Sequence, residues 1–553
     1  MRRNAMENQT QDEMNLTRLF IRRCKQRGRQ SKIADSMGLE FSGYKLLAGT
    51  LIMRKLLRQH VLDTDEECVG VLLPPTVPAV IVNLALTLDR RAAVNLNYTA
   101  TSEVLNACLK QCHIKHVITS RKAWEKFDLD LEAEIIYLED FRENPDLKAG
   151  LFNKLSALFS ACVTPAGILE RNLGLHEVKE EDLLTIIFTS GSTGVPKGVM
   201  LTHANIGSNI KAIDQIVKLG HEDVMIGILP FFHSFGFTAT LWATMALDIK
   251  AAYHFSPLEG KQIGKLCQRH KGTILLATPT FLRGFLHRCS PEEFASVDVI
   301  VTGAEKLPKD LADAFEEKFN IQPVEGYGAT ELSPLVSVNV PPSRSADNSQ
   351  IDLKEGTVGL PIPGVTTKIT DLDTDEELGT NASGMLWIKG PNVMKGYYGR
   401  QDLTDEVILD GWYRTGDVAE IDDDGFIRIT GRVSRFSKIG GEMVPHVRIE
   451  EMLNEIIEST DEDALMAAVT AVPDEKRGER LIIIHRPLQQ TPNELREKLA
   501  DEKGMPNIFI PSADSFYETE ELPLLGTGKL DLKGIKDMAM RQFGPDETGE
   551  VEA

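Results

Sequence analysis

The stretch Leu183–Leu201 constrains this chain more than any other part of its sequence. The apolar, β-branched run Leu184–Phe188 predicts a short buried strand, and Val199–Leu201 predicts a second one. Between them, Thr189–Gly198 holds three glycines, four hydroxyl side chains and one lysine. Glycines let a backbone approach a ligand closely, while N–H groups, hydroxyls and an ammonium donate to phosphate oxygens. We interpret this segment as a phosphate-binding loop, with an ordinary Gly/Ser-rich turn as the alternative.

The loop is not a Walker A motif. That motif requires a Gly-Lys pair followed by serine or threonine. No such triplet occurs anywhere in the chain. A nucleotide-binding loop of a different class is therefore expected.

Length and composition limit the class of protein further. A chain of 553 residues can form two or more domains with large cores. Its net charge of −21 argues against non-specific binding to nucleic acid, so no nucleic-acid partner is expected. The seven cysteines are scattered, and no second Cys/His pair joins Cys108 and Cys112 to complete a zinc site. Reduced thiols of this kind are typical of a cytoplasmic enzyme.

No membrane-spanning or signal segment is predicted. The N-terminal residues MRRNAMENQTQDEMNL lack an apolar core, so they do not resemble a signal peptide. Val69–Leu88 has a suitable length, but its three prolines favour a strand, a turn and a helix. Residues 1–40 are expected to hold an amphipathic helix that leads into the fold and is solvated, with a membrane-touching helix as the alternative. Peripheral contact with the inner membrane is the alternative to a purely cytoplasmic location.

Strands and helices alternate along most of the chain, which predicts an α/β fold with parallel strands. Residues 356–430 have frequent Gly, Pro and Asp turns and predict a smaller, mostly β part. A last unit from about residue 434 is predicted to contain α and β elements, including the helices Val447–Ile457 and Pro492–Glu502 and the strands Ala464–Val472, Arg480–His485 and Asn507–Ile510.

Three further motifs carry possible chemistry. In Glu325–Glu331, an aromatic residue between glycines can stack on a purine, and the final carboxylate can hold Mg²⁺. In Trp412–Asp417, the aspartate carboxylate can accept hydrogen bonds from both hydroxyls of a ribose. In Leu525–Asp531, a lysine on a glycine-containing loop can reach a buried anion and neutralise the negative charge that develops during a reaction. Taken one at a time, each motif also fits an ordinary turn.

Together, the four motifs resemble those of the adenylate-forming superfamily, which includes acyl-CoA synthetases, luciferases and adenylation domains. The resemblance extends from about residue 40 to residue 535. It implies activation of a carboxylate with ATP and Mg²⁺ to an acyl-AMP, followed by attack of a thiol. It implies nucleotide contacts for Thr189, Ser190, Gly191, Ser192, Thr193, Gly194, Lys197, Gly303, Ala304, Glu325, Gly326, Tyr327, Gly328, Asp417 and Arg432, and catalytic roles for His233, Thr330, Glu331 and Lys529, with Glu331 as the Mg²⁺ ligand.

The resemblance also implies a domain organisation. A large N-terminal domain, 1–433, contains stacked α/β subdomains and the β-rich part 356–433. A small mobile α+β domain, 434–553, carries Lys529 and rotates between the two half-reactions about a hinge at Ser434. Many relatives carry Asp or Lys at the hinge position, so Ser434 departs from the family pattern.

The segment Pro230–Phe237 resembles the gate of the acyl pocket in long-chain members, with His233 near the carboxylate; a packed core histidine is the alternative. Gly431–Glu450 most resembles the acyl-acyl-carrier-protein synthetase part of bifunctional enzymes that re-acylate lysophospholipids. The resemblance therefore implies a medium- or long-chain fatty acid as substrate, and coenzyme A or holo acyl carrier protein as acceptor. Four basic residues of this stretch are candidates for an acceptor-docking patch, with a solvated face as the alternative: Arg432, Arg435, Lys438 and Arg448.

Two other functions stay open on the sequence alone. One is a fatty acyl-AMP ligase that stops after the first half-reaction. The other is a catalytically silent nucleotide or acyl sensor on the same fold. Loss of Lys197, Glu331 or Lys529 is typical of a sensor, and all three residues are present.

We expect Lys529→Ala to abolish acyl-AMP formation and largely to preserve thiol transfer from preformed acyl-AMP. The reason is that the lysine neutralises charge only while the carboxylate attacks the α-phosphorus. Single-turnover assays of the two half-reactions test this expectation. Equal loss of both half-reactions would remove the role assigned to Lys529.

Overall fold

The computed structural model describes residues 15–189, 196–347, 352–440, 442–457, 465–474, 476–501, 506–523 and 530–544, without the side chains of Ser434 and Met443. The chain divides into two compact units. Unit 1 comprises Met1–Ala382, Trp387–Thr415 and Ile421–Arg428. Unit 2 comprises Ser383–Leu386, Gly416–Glu420 and Ile429–Ala553. The boundary at 433/434 and the rotation of the smaller domain stay predictions.

The first described helix, α1 (Leu16–Arg27), packs into the core of unit 1. Its outer face carries Arg18 and Arg22, which each form a 2.9 Å ion pair with the buried carboxylate of Glu170. The amphipathic helix leading into the fold is therefore confirmed, while the expectation that it is solvated is wrong, because one face is buried. Apolar residues recur at helical spacing between the many basic ones and form a buried face: Leu16, Phe20, Ile21 and Cys24.

A parallel four-stranded sheet, of order β4-β3-β5-β6, follows in the chain. The strand–turn–helix predicted at Val69–Leu88 is confirmed. The elements up to residue 172 are β1 (Ser31–Asp35), β2 (Glu40–Ser42), α2 (Gly43–His60), β3 (Cys68–Val71), α3 (Val77–Leu88), β4 (Ala92–Asn95), α4 (Ser102–Gln111), β5 (His116–Thr119), α5 (Arg121–Trp124), β6 (Glu134–Tyr137), α6 (Asp140–Glu143), α7 (Leu151–Cys162) and α8 (Ala166–Asn172).

The predicted loop strands form an antiparallel hairpin, β7 (Leu183–Thr189) and β8 (Lys197–Thr202). β7 buries Ile186 in the same apolar cluster as residues of the four-stranded sheet. Thr185 Oγ1 also donates to the carbonyl of Ala93 at 2.6 Å. The sheet thus supports the hairpin that carries the predicted phosphate loop.

A nine-stranded sheet, of order β15-β14-β13-β12-β11-β9-β10-β1-β2, forms the other large layer of unit 1. Its central strands are parallel, and antiparallel strands close both edges. This arrangement confirms the α/β class. The elements are α9 (His203–Ile216), β9 (Val224–Gly227), α10 (Ala243–Ala246), β10 (Lys250–Tyr253), α11 (Gly260–His270), β11 (Ile274–Ala277), α12 (Pro279–Arg288), β12 (Val299–Thr302), α13 (Lys309–Phe319), β13 (Val324–Gly328), β14 (Leu335–Val338) and β15 (Leu360–Pro361).

The segment from residue 360 to 432 is rich in strands, as predicted. It contains β16 (Thr366–Thr370), β17 (Gly384–Lys389), β18 (Gly396–Tyr397), α14 (Gln401–Val407), β19 (Ile408–Leu409), β20 (Trp412–Ile421) and β21 (Ile427–Arg432). Strand β18 leaves this segment to pair with β8.

The rest of unit 2 contains the sheet β23-β22-β25-β24, with β26 paired to β25. The strand predicted at Asn507–Ile510 is wrong, because Asn507–Phe509 forms one 3-10 turn with Phe509 N donating to Pro506 O at 2.9 Å. Prolines 506 and 511 remove two donors that a strand would need. The elements are β22 (Phe436–Ile439), β23 (Glu442–Pro445), α15 (His446–Ile456), β24 (Ala467–Asp474), β25 (Gly478–His485), α16 (Pro492–Asp501), β26 (Phe516–Glu518) and α17 (Leu532–Phe543).

Among the described residues, no helix is both long and apolar enough to span a bilayer.

A fully buried lysine, Lys32 of β1, lies in the core of unit 1. Its ammonium donates to the carbonyls of Thr244, Leu247 and Ile249 at 2.6, 2.8 and 2.8 Å. These carbonyls lie at the end of α10 and beyond it, where helical acceptors lack intrahelical donors. Burial lowers the pKa of Lys32 to about 7 despite the three acceptors.

We expect this lysine to make stability depend on pH in the alkaline range. Between about pH 7 and pH 10 the unfolded chain binds more protons at Lys32 than the folded chain does. The free energy of unfolding of the wild type should therefore rise with pH, relative to Lys32→Met, by up to about 1.4 kcal/mol per pH unit. Urea unfolding midpoints across this range test the expectation, with exposed Lys45→Met as control. Parallel curves for wild type and Lys32→Met would contradict it.

Candidate active site

The predicted phosphate loop is closed by a paired residue at each end. Thr189, the last residue of β7, pairs with Lys197, the first residue of β8. The hairpin therefore holds the lysine at the base of the loop. Gly198 packs tightly behind it, since a Cβ there would lie 3.0 Å from Ile186. Ser190, Gly191, Ser192, Thr193 and Gly194 lie outside the described residues.

A tyrosine connects Lys197 to Glu331. The Tyr397 hydroxyl donates to Glu331 Oε1 at 2.9 Å, and Lys197 Nζ lies 5.1 Å from the centroid of the Tyr397 ring. Tyr397 is buried, and burial together with the adjoining Glu331 carboxylate raises the pKa of its phenol. The hydroxyl therefore stays protonated and remains a donor. Three segments far apart in sequence thus bring an ammonium and a carboxylate to one tyrosine.

The turn that carries Thr330 and Glu331 is fixed from several sides. Thr330–Leu332 forms a 3-10 turn, and Ser234 Oγ donates to Thr330 Oγ1 at 3.3 Å. Met394 N donates to the carbonyl of Glu331 at 2.8 Å. Thr238 Oγ1 donates to the Ser333 carbonyl at 2.8 Å. These bonds determine where the Glu331 carboxylate can lie.

Upstream of this turn, the first part of the motif Glu325–Glu331 belongs to a strand. Glu325, Gly326, Tyr327 and Gly328 belong to β13, and half-buried Tyr327 pairs in register with Ser337. A Cβ on Gly328 would lie 2.0 Å from the Pro334 carbonyl oxygen, so no side chain fits without moving backbone. Burial raises the pKa of the Glu325 carboxyl, although it accepts a hydrogen bond from Leu307 N at 3.1 Å. Glu325 thus shapes the neighbouring loop.

Gly303 and Ala304 follow the end of β12, next to β13. A Cβ on Gly303 would lie 3.3 Å from the Phe235 ring and 3.5 Å from the Gly326 carbonyl oxygen. Ala304 is exposed and has a φ of 71°, an unusual conformation for a residue with a side chain. Parallel sheets place ligands at the carboxyl ends of their strands, which is where both residues lie.

His233 is exposed, so the packed core histidine considered from the sequence is wrong. Its neighbours are buried: Phe232 packs against Tyr98 at 4.9 Å, and Phe231 packs against Tyr253 at 5.7 Å between ring centroids. A π-helix, Gly236–Trp242, follows directly. Such helices are frequent at functional sites. The role of His233 as an acyl gate stays a prediction.

Asp417 and Arg432 are found together in unit 2. Asp417 lies in β20 and is buried, and its Oδ1 is 2.8 Å from Arg432 Nε. The alternative that Asp417 is a turn or capping residue is wrong, because Asp417 lies inside a ten-residue strand. Its predicted contact with ribose stays a prediction.

The predicted basic patch loses one member. Arg435 is buried in an ion pair with Glu450, so its charge does not reach the surface. Lys438 and Arg448 are exposed, and Arg448 lies 5.7 Å from the Phe509 ring centroid. Lys529 lies outside the described residues.

The residues present fit a magnesium–nucleotide ligand. Lys197 offers a cation for phosphate oxygens near the Tyr397 ring, and Glu331, bonded to the Tyr397 hydroxyl, offers a carboxylate for Mg²⁺. Within the described residues, no group of three or more His, Cys, Asp or Glu side chains is able to hold a metal by itself. Mg²⁺ usually binds one or two carboxylates together with substrate phosphates, which suits a lone Glu331.

Comparison with known proteins defines the class. Residues 54–398 match the model of the AMP-binding enzyme family, and the chain therefore belongs to that family. It shares the fold of ATP-bound MatB from Rhodopseudomonas palustris, with a TM-score of 0.75 and 23% identity over 96% of this chain and 100% of that one.

Two sequence relatives illustrate the range of similarity. The chain is 33% identical over 366 residues to "Long-chain-fatty-acid--CoA ligase" of Bacillus subtilis (strain 168), covering 64% of this chain and 61% of the relative. It is 25% identical over 492 residues to "4-coumarate--CoA ligase 1" of Arabidopsis thaliana, covering 86% and 84%. The chain thus spans less than two thirds of the length of the ligase from Bacillus subtilis.

We expect Tyr397→Phe to slow ATP–pyrophosphate exchange by about tenfold or more. Hydrogen bonds to charged groups contribute roughly 1.5–3 kcal/mol, and the substitution removes the donor that orients Glu331. If orientation is the cause, the variant should also need more Mg²⁺ for half its maximal rate. Tyr398→Phe, the same change one residue along, is the matched control. An unchanged rate and Mg²⁺ dependence in Tyr397→Phe would exclude this positioning role.

Proposed function

We propose that this protein activates a medium- or long-chain fatty acid with ATP to an acyl-AMP and transfers the acyl group to a phosphopantetheine thiol. The observation that carries this proposal is the convergence of Lys197 and Glu331 on Tyr397, inside a chain of the AMP-binding enzyme family. This arrangement provides the two charges needed where a carboxylate attacks a polyphosphate.

Each residue of the site has a separate role in the first half-reaction. Lys197, at the base of the loop, binds phosphate oxygens of the leaving pyrophosphate. Thr330 donates to the α-phosphate, and Glu331 would hold Mg²⁺, which neutralises charge on the transferred and leaving oxygens. Asp417 binds the ribose, and Lys529 approaches the acyl carboxylate. Tyr397 keeps Glu331 in one orientation throughout.

The fatty acid is supported by the relatives and by the environment of His233. Ligases that match this chain from Bacillus subtilis and Yersinia pestis are named for long-chain fatty acids. His233 is exposed directly beside buried Phe231 and Phe232. A polar gate next to an apolar surface suits a substrate with a carboxylate head and a hydrocarbon chain.

Coenzyme A is the better supported acceptor. The same relatives are named as CoA ligases. The acyl-carrier-protein acceptor rests on the resemblance of Gly431–Glu450, and the basic patch of that stretch, which suits either acceptor, loses Arg435 to a buried ion pair. Lys438 and Arg448 remain exposed for either acceptor. We therefore place acyl carrier protein second.

The test is pyrophosphate release with ATP, Mg²⁺ and either decanoate or palmitate, run without acceptor, with coenzyme A and with holo acyl carrier protein. We expect release that depends on the fatty acid and is stimulated most by coenzyme A. Glu331→Gln, which keeps the shape of the side chain and removes its charge, is the control for contaminating ligases and should release little pyrophosphate.

Each other outcome selects an alternative. Preference for holo acyl carrier protein would identify the second acceptor. Release that no thiol stimulates would identify a fatty acyl-AMP ligase. No release with any fatty acid, accompanied by ATP binding in calorimetry, would identify a nucleotide sensor and overturn the proposal.

A further inference from the structure

Helix α7 exposes a continuous apolar face. Phe152 is 81% exposed and Leu151 is 74% exposed, although neither residue belongs to a loop. Leaving such side chains in water forgoes the favourable free energy that their burial would contribute. Large contiguous apolar surfaces of this kind usually mark an interaction site. We call the following exposed residues the apolar face of α7, counting with the helix Val163 directly after it and Ile168 in α8: Leu151, Phe152, Leu155, Leu158, Phe159, Val163 and Ile168.

The opposite side of the helix is anchored to unit 1. Ala157 and Ala161 are buried there. Lys25 Nζ donates to the carbonyls of Ser160 and Ala161 at 2.9 Å each, and Lys55 Nζ donates to Asn153 Oδ1 at 2.7 Å. These contacts fix the rotation of α7 about its axis. The apolar face therefore points away from the core because of specific bonds.

The charges around this face differ from those of the chain as a whole. No aspartate or glutamate occurs between Asp146 and Glu170, whereas Lys148 and Lys154 lie in that interval and are exposed. The whole chain has a net charge of −21. Charges farther away than about 10 Å are largely screened at 0.1 M salt, so the local positive balance acts at short range.

We propose that the apolar face of α7 lies on a lipid bilayer surface. Helices that lie at membrane interfaces place leucine and phenylalanine in the acyl boundary and lysine at the headgroups. Phe152 and Phe159 are seven residues apart on the same face, and Lys148 and Lys154 are placed to meet anionic headgroups. The helix would lie flat, since its 12 residues are too short to span the bilayer.

Two other occupants fit the observations less well. A stable dimer usually needs about 20–30 residues on each side, and this face offers seven large apolar residues. The terminal segments 1–14 and 545–553 are mostly polar or charged and make poor cover for leucine and phenylalanine. A bilayer needs neither size nor shape complementarity. The inference goes beyond the proposed function, because it requires no bound nucleotide.

Sedimentation with vesicles tests the inference. Wild type is mixed with vesicles of phosphatidylcholine alone, or of phosphatidylcholine and phosphatidylglycerol in equal parts. We expect binding to both and stronger binding to the mixture. Phe152→Ser/Phe159→Ser should lower the partition coefficient at least about tenfold, because it removes two of the largest exposed side chains. Lys148→Gln/Lys154→Gln should weaken binding only to the mixture, by about fivefold for each lysine.

The control is Leu258→Ser, which removes a 68% exposed leucine outside this face and should leave vesicle binding unchanged. Unfolding temperatures of all variants should match the wild type, and single Phe152→Ser and Phe159→Ser should give intermediate binding. Wild type that stays in the supernatant, or a double variant that binds as well as the wild type, would overturn the proposal. A wild-type dimer in sedimentation velocity that the double variant abolishes, without vesicle binding, would identify a second copy as the occupant.

Discussion

The pairing of β18 with β8 is the constraint on which the candidate active site depends. Tyr397 pairs with Val199 and Gly396 pairs with Met200, so the segment near residue 397 lies beside the base of the phosphate loop. The same segment bonds to the Glu331 turn through Met394 N. Two strand residues thereby join three parts of the chain that are far apart in sequence. Without this pairing, neither the Tyr397–Glu331 bond nor the approach of Lys197 to the ring would exist.

Much of the fold was predictable because its signals are local. An apolar β-branched run marked β7, and a proline near the start of an apolar run marked α3. The predictions that failed depended on flanking or distant residues instead. The pattern at Asn507–Ile510 suits a strand, but its flanking prolines leave one 3-10 turn. The abundance of arginine and lysine in α1 favoured a solvated helix, although one face of this amphipathic helix is buried.

The candidate site was predictable only in part. Lys197, Thr330 and Glu331 belong to motifs with characteristic composition, so the sequence reveals them. Tyr397 was missed, because nothing near it indicates a bond to a carboxylate 66 residues away. Arg435 shows the reverse error, since a basic residue in the sequence becomes half of a buried ion pair. Its partner Glu450 also accepts a hydrogen bond from Val469 N at 2.6 Å, so that carboxylate is satisfied from two sides. Burial, which depends on distant residues, decides whether a charge is available to a partner.

The close contact at Gly328 has a consequence for how this gene can vary. A β carbon at this position would collide with the carbonyl oxygen of Pro334, which directly precedes strand β14. Every amino acid that replaces glycine brings a β carbon, so every missense mutation of this codon meets the same obstacle. A β carbon on Gly326 would lie 3.3 Å from the Ser337 carbonyl oxygen, which is a milder restriction. Among gene copies that still encode a working site, glycine at 328 should therefore persist.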